Sequence, residues 1–308
     1  MTHSSLPAAT TDPATEFHLK SILLPTDFSD ASDRAAYVAR ELAAHFKSKL
    51  FLVHAVWEKS YDWGEPLYQL APSEEIALKL TADFGARHRI DVLPIEFVVR
   101  SGEAVDVVKA VVAEKKIDLI VLGTNGLQGP AKLLFGGYAE KIYRNALCPV
   151  LTVGPHASLS KCYGRFQSIV LAINPEMPAT TDALHYAMTL ARACGAYLTV
   201  ASILPQSLGV HGEKLYRLEE EKREQVMRLL VESQLALPHK PEVIVGTGHI
   251  SEEIIKVAIG CGADLIVKGL RPASEVSERT HLPKGFTYPI SVNAHCPVLT
   301  VGSRERAV

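Results

Sequence analysis

The chain has 308 residues, 47% of them apolar and 21% charged, with a formal net charge of −2. That balance fits a globular protein with material for two domains of ordinary size. It excludes a basic nucleic-acid reader, whose Lys and Arg would gather in a stripe, and a membrane-spanning chain, since no apolar run approaches the ~20 residues a spanning helix needs.

Residues 1–16 are rich in Thr, Ala, Pro and Ser and lack the charged start and apolar stretch of a secretory signal. They are expected to form a disordered leader. Residues 21–25 are apolar throughout, as in a strand buried on both faces. Ser29 or Asp30 can cap a helix over 31–46 that places Ala35, Val38, Ala39 and Leu42 on one side. Strands are predicted at 50–56, 92–99, 119–122 and 150–153, and helices at 74–88, 104–114 and 137–145. The second half follows suit. Its predicted strands are 168–173, 197–203, 242–245, 265–267 and 298–301, and its predicted helices 180–193, 213–235, 251–259 and 290–293. Alternating strand and helix implies an α/β fold: in each half a doubly wound, mostly parallel sheet of five strands with helices on both faces.

The chain repeats itself. Asp118-Leu-Ile-Val-Leu-Gly123 recurs as Asp264-Leu-Ile-Val-Lys-Gly269, and Cys148-Pro-Val-Leu-Thr-Val-Gly154 recurs letter for letter as Cys296–Gly302. Ser21-Ile-Leu-Leu matches Ser168-Ile-Val-Leu, and all three matches share a spacing of about 147 residues. A domain-sized period means a duplicated domain, expected at 17–155 and 165–308, with a polar junction around 155–164. The cysteines Cys148, Cys162, Cys194, Cys261 and Cys296 are odd in number and form no C-x-x-C pair. They read as small buried side chains in a reducing cytoplasm rather than as a disulfide or zinc framework.

In a doubly wound sheet, ligands bind beyond the carboxyl ends of the strands, where strand order reverses. The residues after strands one and four are therefore the ones to inspect. After strand four comes Gly123-Thr-Asn-Gly126, then nine residues, then Gly136-Gly137. Glycines let backbone approach a ligand, successive loop N–H groups form an anion cradle, and a helix start favours negative charge. After strand one comes Pro25-Thr26-Asp27-Phe28-Ser29. The Asp27 carboxylate can accept hydrogen bonds from an adenine amine or ribose hydroxyls, or else from its own turn. It would repel phosphate, so it belongs at the nucleoside end.

The stretches at 22–29 (ILLPTDFS), Val53-His54, 118–126 (DLIVLGTNG) and 148–153 (CPVLTV) resemble the universal stress protein family, whose ATP-binding signature is G-x2-G-x9-G-[S/T]. The resemblance covers nearly the whole chain, as two copies in tandem. It implies Rossmann-like domains of the adenine nucleotide alpha hydrolase type. These would pair through their last strands across a pseudo-twofold, in a cytoplasmic protein that serves stress regulation. It implies ATP, with or without Mg2+, in the first half, unidentified protein partners, and room for a homodimer. Asp27 matches the nucleoside-contacting aspartate. Pro25, Thr26 and Leu50 fall in the stretches that meet ribose and adenine, and Leu122, Gly123, Gly126, Gly136, Gly137 and Tyr138 match the phosphate loop. Gly137 stands where the family has Ser or Thr, a lost hydroxyl expected to weaken binding without abolishing it.

The second copy departs further. Asn174 stands in place of Asp27, Leu270-Arg271-Pro272 follows Gly269, and Lys284-Gly285 replaces Gly136-Gly137. It is expected to be a partner domain, or to use Arg271, Arg279 and Lys284 for another anion. A binding protein is the leading reading. A slow ATPase or nucleotidyl transferase would need a positioned base and metal-held carboxylates near the γ-phosphate, and a module without nucleotide is the third alternative. Gly246-Thr-Gly248 lacks the third glycine of a dinucleotide fingerprint, and His54 reads as a packed histidine.

Overall fold

The computed structural model describes residues 17–56, 74–124, 141–142, 146–161, 163–177, 179–270 and 287–302. The expected leader lies outside them. In the first half, β1 (Ser21–Pro25), α1 (Asp30–Phe46), β2 (Lys49–Val56), α2 (Glu74–Arg87), β3 (Ile95–Ser101), α3 (Ala104–Lys115), β4 (Leu119–Gly123) and β5 (Val150–Val153) follow in order. The second half has β6 (Ser168–Ala172), α4 (Ala179–Cys194), β7 (Tyr197–Pro205), α5 (Gly212–Glu232), β8 (Glu242–Gly248), α6 (Ile250–Gly260), β9 (Leu265–Leu270), α7 (Thr287–Asn293) and β10 (Val298–Gly302).

All ten strands join one sheet in the order β3-β2-β1-β4-β5-β10-β9-β6-β7-β8, two five-stranded halves fused at their last strands. Every pairing is parallel except β5 with β10. There Leu151 faces Leu299, flanked by Val150 with Thr300 and Thr152 with Val298. Leu151 and Leu299 hold the same place in the repeated CPVLTVG stretch, so the register centres on a local twofold and the two edges complement one another. One apolar layer under α1, α2, α4 and α5 runs without a break across both halves, while α3 and α6 with α7 cover separate layers on the other face.

Local chemistry accounts for the elements. Ser29 is the N-cap of α1, with Asp30 and Asp33 in the first turn, and Lys47 closes the helix in the left-handed conformation at φ 57°. The aspartate of each repeated D-L-I-V stretch anchors the amino end of its half's first strand. Asp118 Oδ2 accepts from the N–H groups of Lys20 (2.8 Å) and Ser21 (2.9 Å) and from Ser21 Oγ (3.0 Å). Asp264 accepts from the N–H groups of Gln167 (2.7 Å) and Ser168 (3.2 Å).

Two predicted elements shift. The third strand starts at Ile95 rather than 92, because Leu93 closes a turn onto the Ile90 carbonyl and Val92 is exposed. Gly246-Thr-Gly248 lies within β8, paired with Ile203, Leu204 and Pro205, and is not a loop. The predicted helix at 137–145 is described at residues 141–142 alone, which are helical. Cys148, Cys194, Cys261 and Cys296 form no disulfide, and burial, reinforced by the Asp118 charge, pushes Cys148 up to about 12.

Candidate functional site

Winding runs outward from β1 to β2 and β3 on one side and from β4 to β5 on the other, so β1 and β4 flank the switch point. Their pairing spans two positions, Ile22 with Leu119 and Leu23 with Ile120. Beyond Leu23 the ladder ends while both strands continue, β1 to Pro25 and β4 to Gly123. Among the described residues no strand pairing joins these two carboxyl ends, the place where a doubly wound sheet takes ligands.

The β1 lip is a tightly bonded turn. Thr26 is buried; its N–H donates to the Val53 carbonyl at 2.9 Å, and its own carbonyl accepts from His54 Nδ1 at 2.9 Å. A carbonyl can only accept, so Nδ1 carries the proton. Phe28 takes the left-handed conformation at φ 63°, uncommon for a bulky side chain. Its N–H donates to Thr26 Oγ1 (3.0 Å), and its ring packs on His54 and Phe84, 4.5 Å and 5.8 Å between centroids. His54 is therefore a packed histidine, and it packs at the β1 lip.

Asp27 lies exposed at the rim. Its Oδ1 accepts from Ser29 N (3.0 Å), Ser29 Oγ (2.5 Å) and Ser32 Oγ (2.7 Å), which is the turn role allowed by sequence. Oδ2 accepts no hydrogen bond from the described residues. Partial burial pushes the carboxyl up, but the bonds from the Ser29 and Ser32 hydroxyls and the Ser29 N–H outweigh it and hold it below its ordinary value. The group is a carboxylate at neutral pH, able only to accept.

The β4 lip is formed by Leu122, Gly123 and Thr124. Leu122 is buried in the α3 layer. Gly123 was expected to clear space for a ligand, but a Cβ there would stand 1.9 Å from the Ala31 carbonyl oxygen. The first turn of α1 therefore requires this glycine. Gly269 faces Ala179 in the same way, 2.8 Å from its carbonyl oxygen, so Ala31 and Ala179 are structural counterparts. Thr124 is 5% exposed, and its N–H bonds the Val153 carbonyl. Its own carbonyl accepts from Arg34 Nη2 of α1 at 3.1 Å.

Of the residues singled out by sequence, Pro25, Thr26, Asp27, Leu122 and Gly123 meet at this edge. Leu50 does not. It is 1% exposed at the amino end of β2, paired with Ile22, three positions (~10 Å) from the Val53 that pairs with Pro25. Gly126, Gly136, Gly137 and Tyr138 lie outside the described residues. Sequence reasoning passed over Arg34 and Thr124. Thr124 sits inside the Gly123–Gly126 motif, whereas Arg34 looks like any surface cation of an amphipathic helix.

Orphaned polar atoms test the fit to a nucleotide. Among the described residues, Arg34 Nε and Thr124 Oγ1 are buried without a hydrogen-bond partner. Four more such atoms, Gln225 Oε1, Ser291 Oγ, His295 Nδ1 and Thr300 Oγ1, lie elsewhere, so they mark no site by themselves; the exposed Asp27 carboxylate suits a ligand that presents donors. No group of three or more His, Cys, Asp or Glu among the described residues is placed to hold a metal ion.

At the equivalent edge of the second half, described residues bond one another. Lys222 reaches in from α5, its side chain 11% exposed, to bond Glu176 at 2.5 Å and Asn174 Oδ1 at 3.4 Å. Thr180 Oγ1 binds the Asn174 carbonyl, and buried Lys268 replaces Leu122.

A fused pair of doubly wound sheets defines a duplicated Rossmann-like α/β protein. The profile of the universal stress protein family matches residues 18–154 and again 165–302. The chain belongs to that family, as a tandem of two of its domains. It is similar, at 34% identity over 141 residues, to the Thermus aquaticus protein called universal stress protein in QAH/OAS sulfhydrylase 3′ region, covering 44% of this chain and 98% of that one. A universal stress protein of Methanocaldococcus jannaschii is 30% identical over 145 residues, 44% of this chain and 81% of that one. The crystal structure of a universal stress protein from Archaeoglobus fulgidus superposes with a TM-score of 0.65, covering 94% of this chain and 99% of that one, at 16% identity that speaks for the fold alone. No helix among the described residues is long and apolar enough to cross a membrane.

Proposed function

We propose that the first half binds one adenine nucleotide, ATP, at the carboxyl ends of β1 and β4, and that the protein is a nucleotide-dependent binding protein of the stress response rather than an enzyme. The observation that carries this reading is the contrast between two equivalent edges. The first carries the exposed Asp27 carboxylate, whose Oδ2 accepts from no described residue, whereas the second carries Asn174, bonded by Lys222. Asp27 Oδ2 accepts from the nucleoside. The backbone of Pro25 and Thr26 forms the adjoining wall, and Leu122 with Gly123 leads into the segment that carries Gly126, Gly136, Gly137 and Tyr138, assigned to the phosphates. The second half serves as a partner domain. Mass spectrometry of small molecules released from the purified full chain tests the proposal. An adenine nucleotide, at up to one per chain, is the expected result. Protein that carries none, and retains none after incubation with millimolar ATP, overturns it.

A further inference from the structure

We propose that His54 is a positioning residue for Asp27: with Phe28 it wedges the turn after β1 into the conformation that presents the carboxylate to a nucleoside. The inference rests on the nucleotide reading above and adds to it the residue that sets the geometry of the nucleoside end.

The Asp27 side chain is bonded by Ser29 and Ser32, on the helix side of the turn. The tie to the sheet runs through its two neighbours in sequence. Thr26 is held at both backbone groups, its N–H by the Val53 carbonyl and its carbonyl by His54 Nδ1. Thr26 Oγ1 in turn accepts from the Phe28 N–H. Phe28 sits at φ 63°, and a bulky side chain keeps that left-handed conformation only where its surroundings over-determine it. Its surroundings are the rings of His54, at 4.5 Å, and of Phe84 on α2, at 5.8 Å, beside the apolar layer. One imidazole therefore bonds the residue before Asp27 and packs on the residue after it. Movement of either neighbour would turn the carboxylate between them.

The second half shows that the sheet does not require this wedge. There the Ile173 N–H donates to the Ala201 carbonyl at 3.0 Å, as Thr26 donates to Val53, so the two strand ends are built alike. Ser202 follows Ala201 where His54 follows Val53, and Ser202 is buried with no ring to offer. Pro175 stands where Phe28 stands. Its ring fixes φ at about −65° and it has no N–H, so neither the left-handed conformation nor the bond to the preceding turn residue is possible. Ile173, in place of Thr26, lacks the accepting hydroxyl as well. Every part of the wedge is gone from the half in which Asn174 replaces Asp27, while the strand pairing is kept. The wedge serves the carboxylate.

Calorimetric titration of the full chain with ATP tests this, in the wild type, His54→Phe, His54→Asn, Asp27→Ala and the double variant His54→Phe with Asp27→Ala, each checked for folding by circular dichroism. His54→Phe keeps a ring against Phe28 and removes the donor. It is expected to weaken ATP about three- to tenfold, the worth of one neutral hydrogen bond. His54→Asn is expected to recover part of that loss, because its amide N–H stands as many bonds from Cβ as Nδ1 does. A residue that acts through Asp27 has nothing left to position once the carboxylate is gone. Adding His54→Phe to Asp27→Ala should therefore cost less than about twofold. His54→Gln, whose amide lies one bond further out, replaces His54→Phe in this cycle if the latter does not fold. Nitrogen NMR of the wild type in mildly alkaline buffer is expected to show the His54 proton on Nδ1. Losses that are equal with and without the Asp27 carboxylate, no loss at all, or a proton on Nε2 overturn the role of His54 and leave the nucleotide site standing. A wild type that binds no ATP overturns both.

Discussion

The two oxygens of Asp27 differ. Oδ1 fastens the turn by accepting from Ser29 and Ser32, and Oδ2 accepts from no described residue, which is why the proposal gives it to the nucleoside. Because those bonds hold the folded carboxyl below its ordinary value, its stabilising effect is complete above pH ~4 and is lost as pH falls through the folded value. Asp27→Asn should therefore lower the urea midpoint at pH 7, with the gap to wild type closing in acid; a gap that does not change with pH contradicts this. Asp118 offers a second test at this scale. Its carboxylate collects three donors from Lys20 and Ser21, so Asp118→Ala should cost on the order of 2–4 kcal/mol in urea unfolding. A cost below ~1 kcal/mol would mean that the anchor is dispensable. The D-L-I-V repeat announced a strand in each half. Its aspartate's task was hidden, because its partners lie 97 and 98 positions away in sequence.

At the scale of elements, helix and strand meet at backbone distance where α1 crosses β4. Gly123→Ala would force its Cβ onto the Ala31 carbonyl at 1.9 Å, whereas at Gly269 the carbonyl stands 2.8 Å away. The first substitution is expected to cost about 3 kcal/mol or more and the second about 1–2 kcal/mol, measured by thermal and urea unfolding; equal costs would contradict the packing described. Strand and helix periods made most elements legible. Runs that are apolar throughout mark β1 and β4, and caps such as Ser29 mark α1. The third strand was placed early because Val92 is apolar yet exposed, and apolar character alone does not reveal which side of a turn a residue occupies. The site was partly legible. Its glycines stood out, but Gly123 answers first to the neighbouring helix. Leu50 read as an apolar wall, though its register sets it at the wrong end of the sheet. The bond from Arg34 to the Thr124 carbonyl could not be read at all, since its ends lie 90 positions apart.

The whole molecule is one sheet with one continuous apolar layer, so its halves are expected to unfold together. Leu151, 1% exposed at the local twofold, joins them. Leu151→Ala should cost about 2–4 kcal/mol and speed hydrogen exchange in β6 as well as in β1; acceleration confined to the first half would show that the halves are independent. The family resemblance implied this pairing, and the repeat allows it within one chain, because identical last strands can meet antiparallel about a twofold. Duplication has preserved the sheet while the two switch points have diverged, one carrying Asp27, the other Asn174 bonded by Lys222. The central claim is that one chain holds one nucleotide, in its first half. Calorimetric titration of ATP into the full chain measures this directly. The account predicts one site per chain, weakened at least tenfold by Asp27→Ala and unaffected by Asn174→Ala. Two sites per chain, or one that survives Asp27→Ala and is lost with Asn174→Ala, would contradict it.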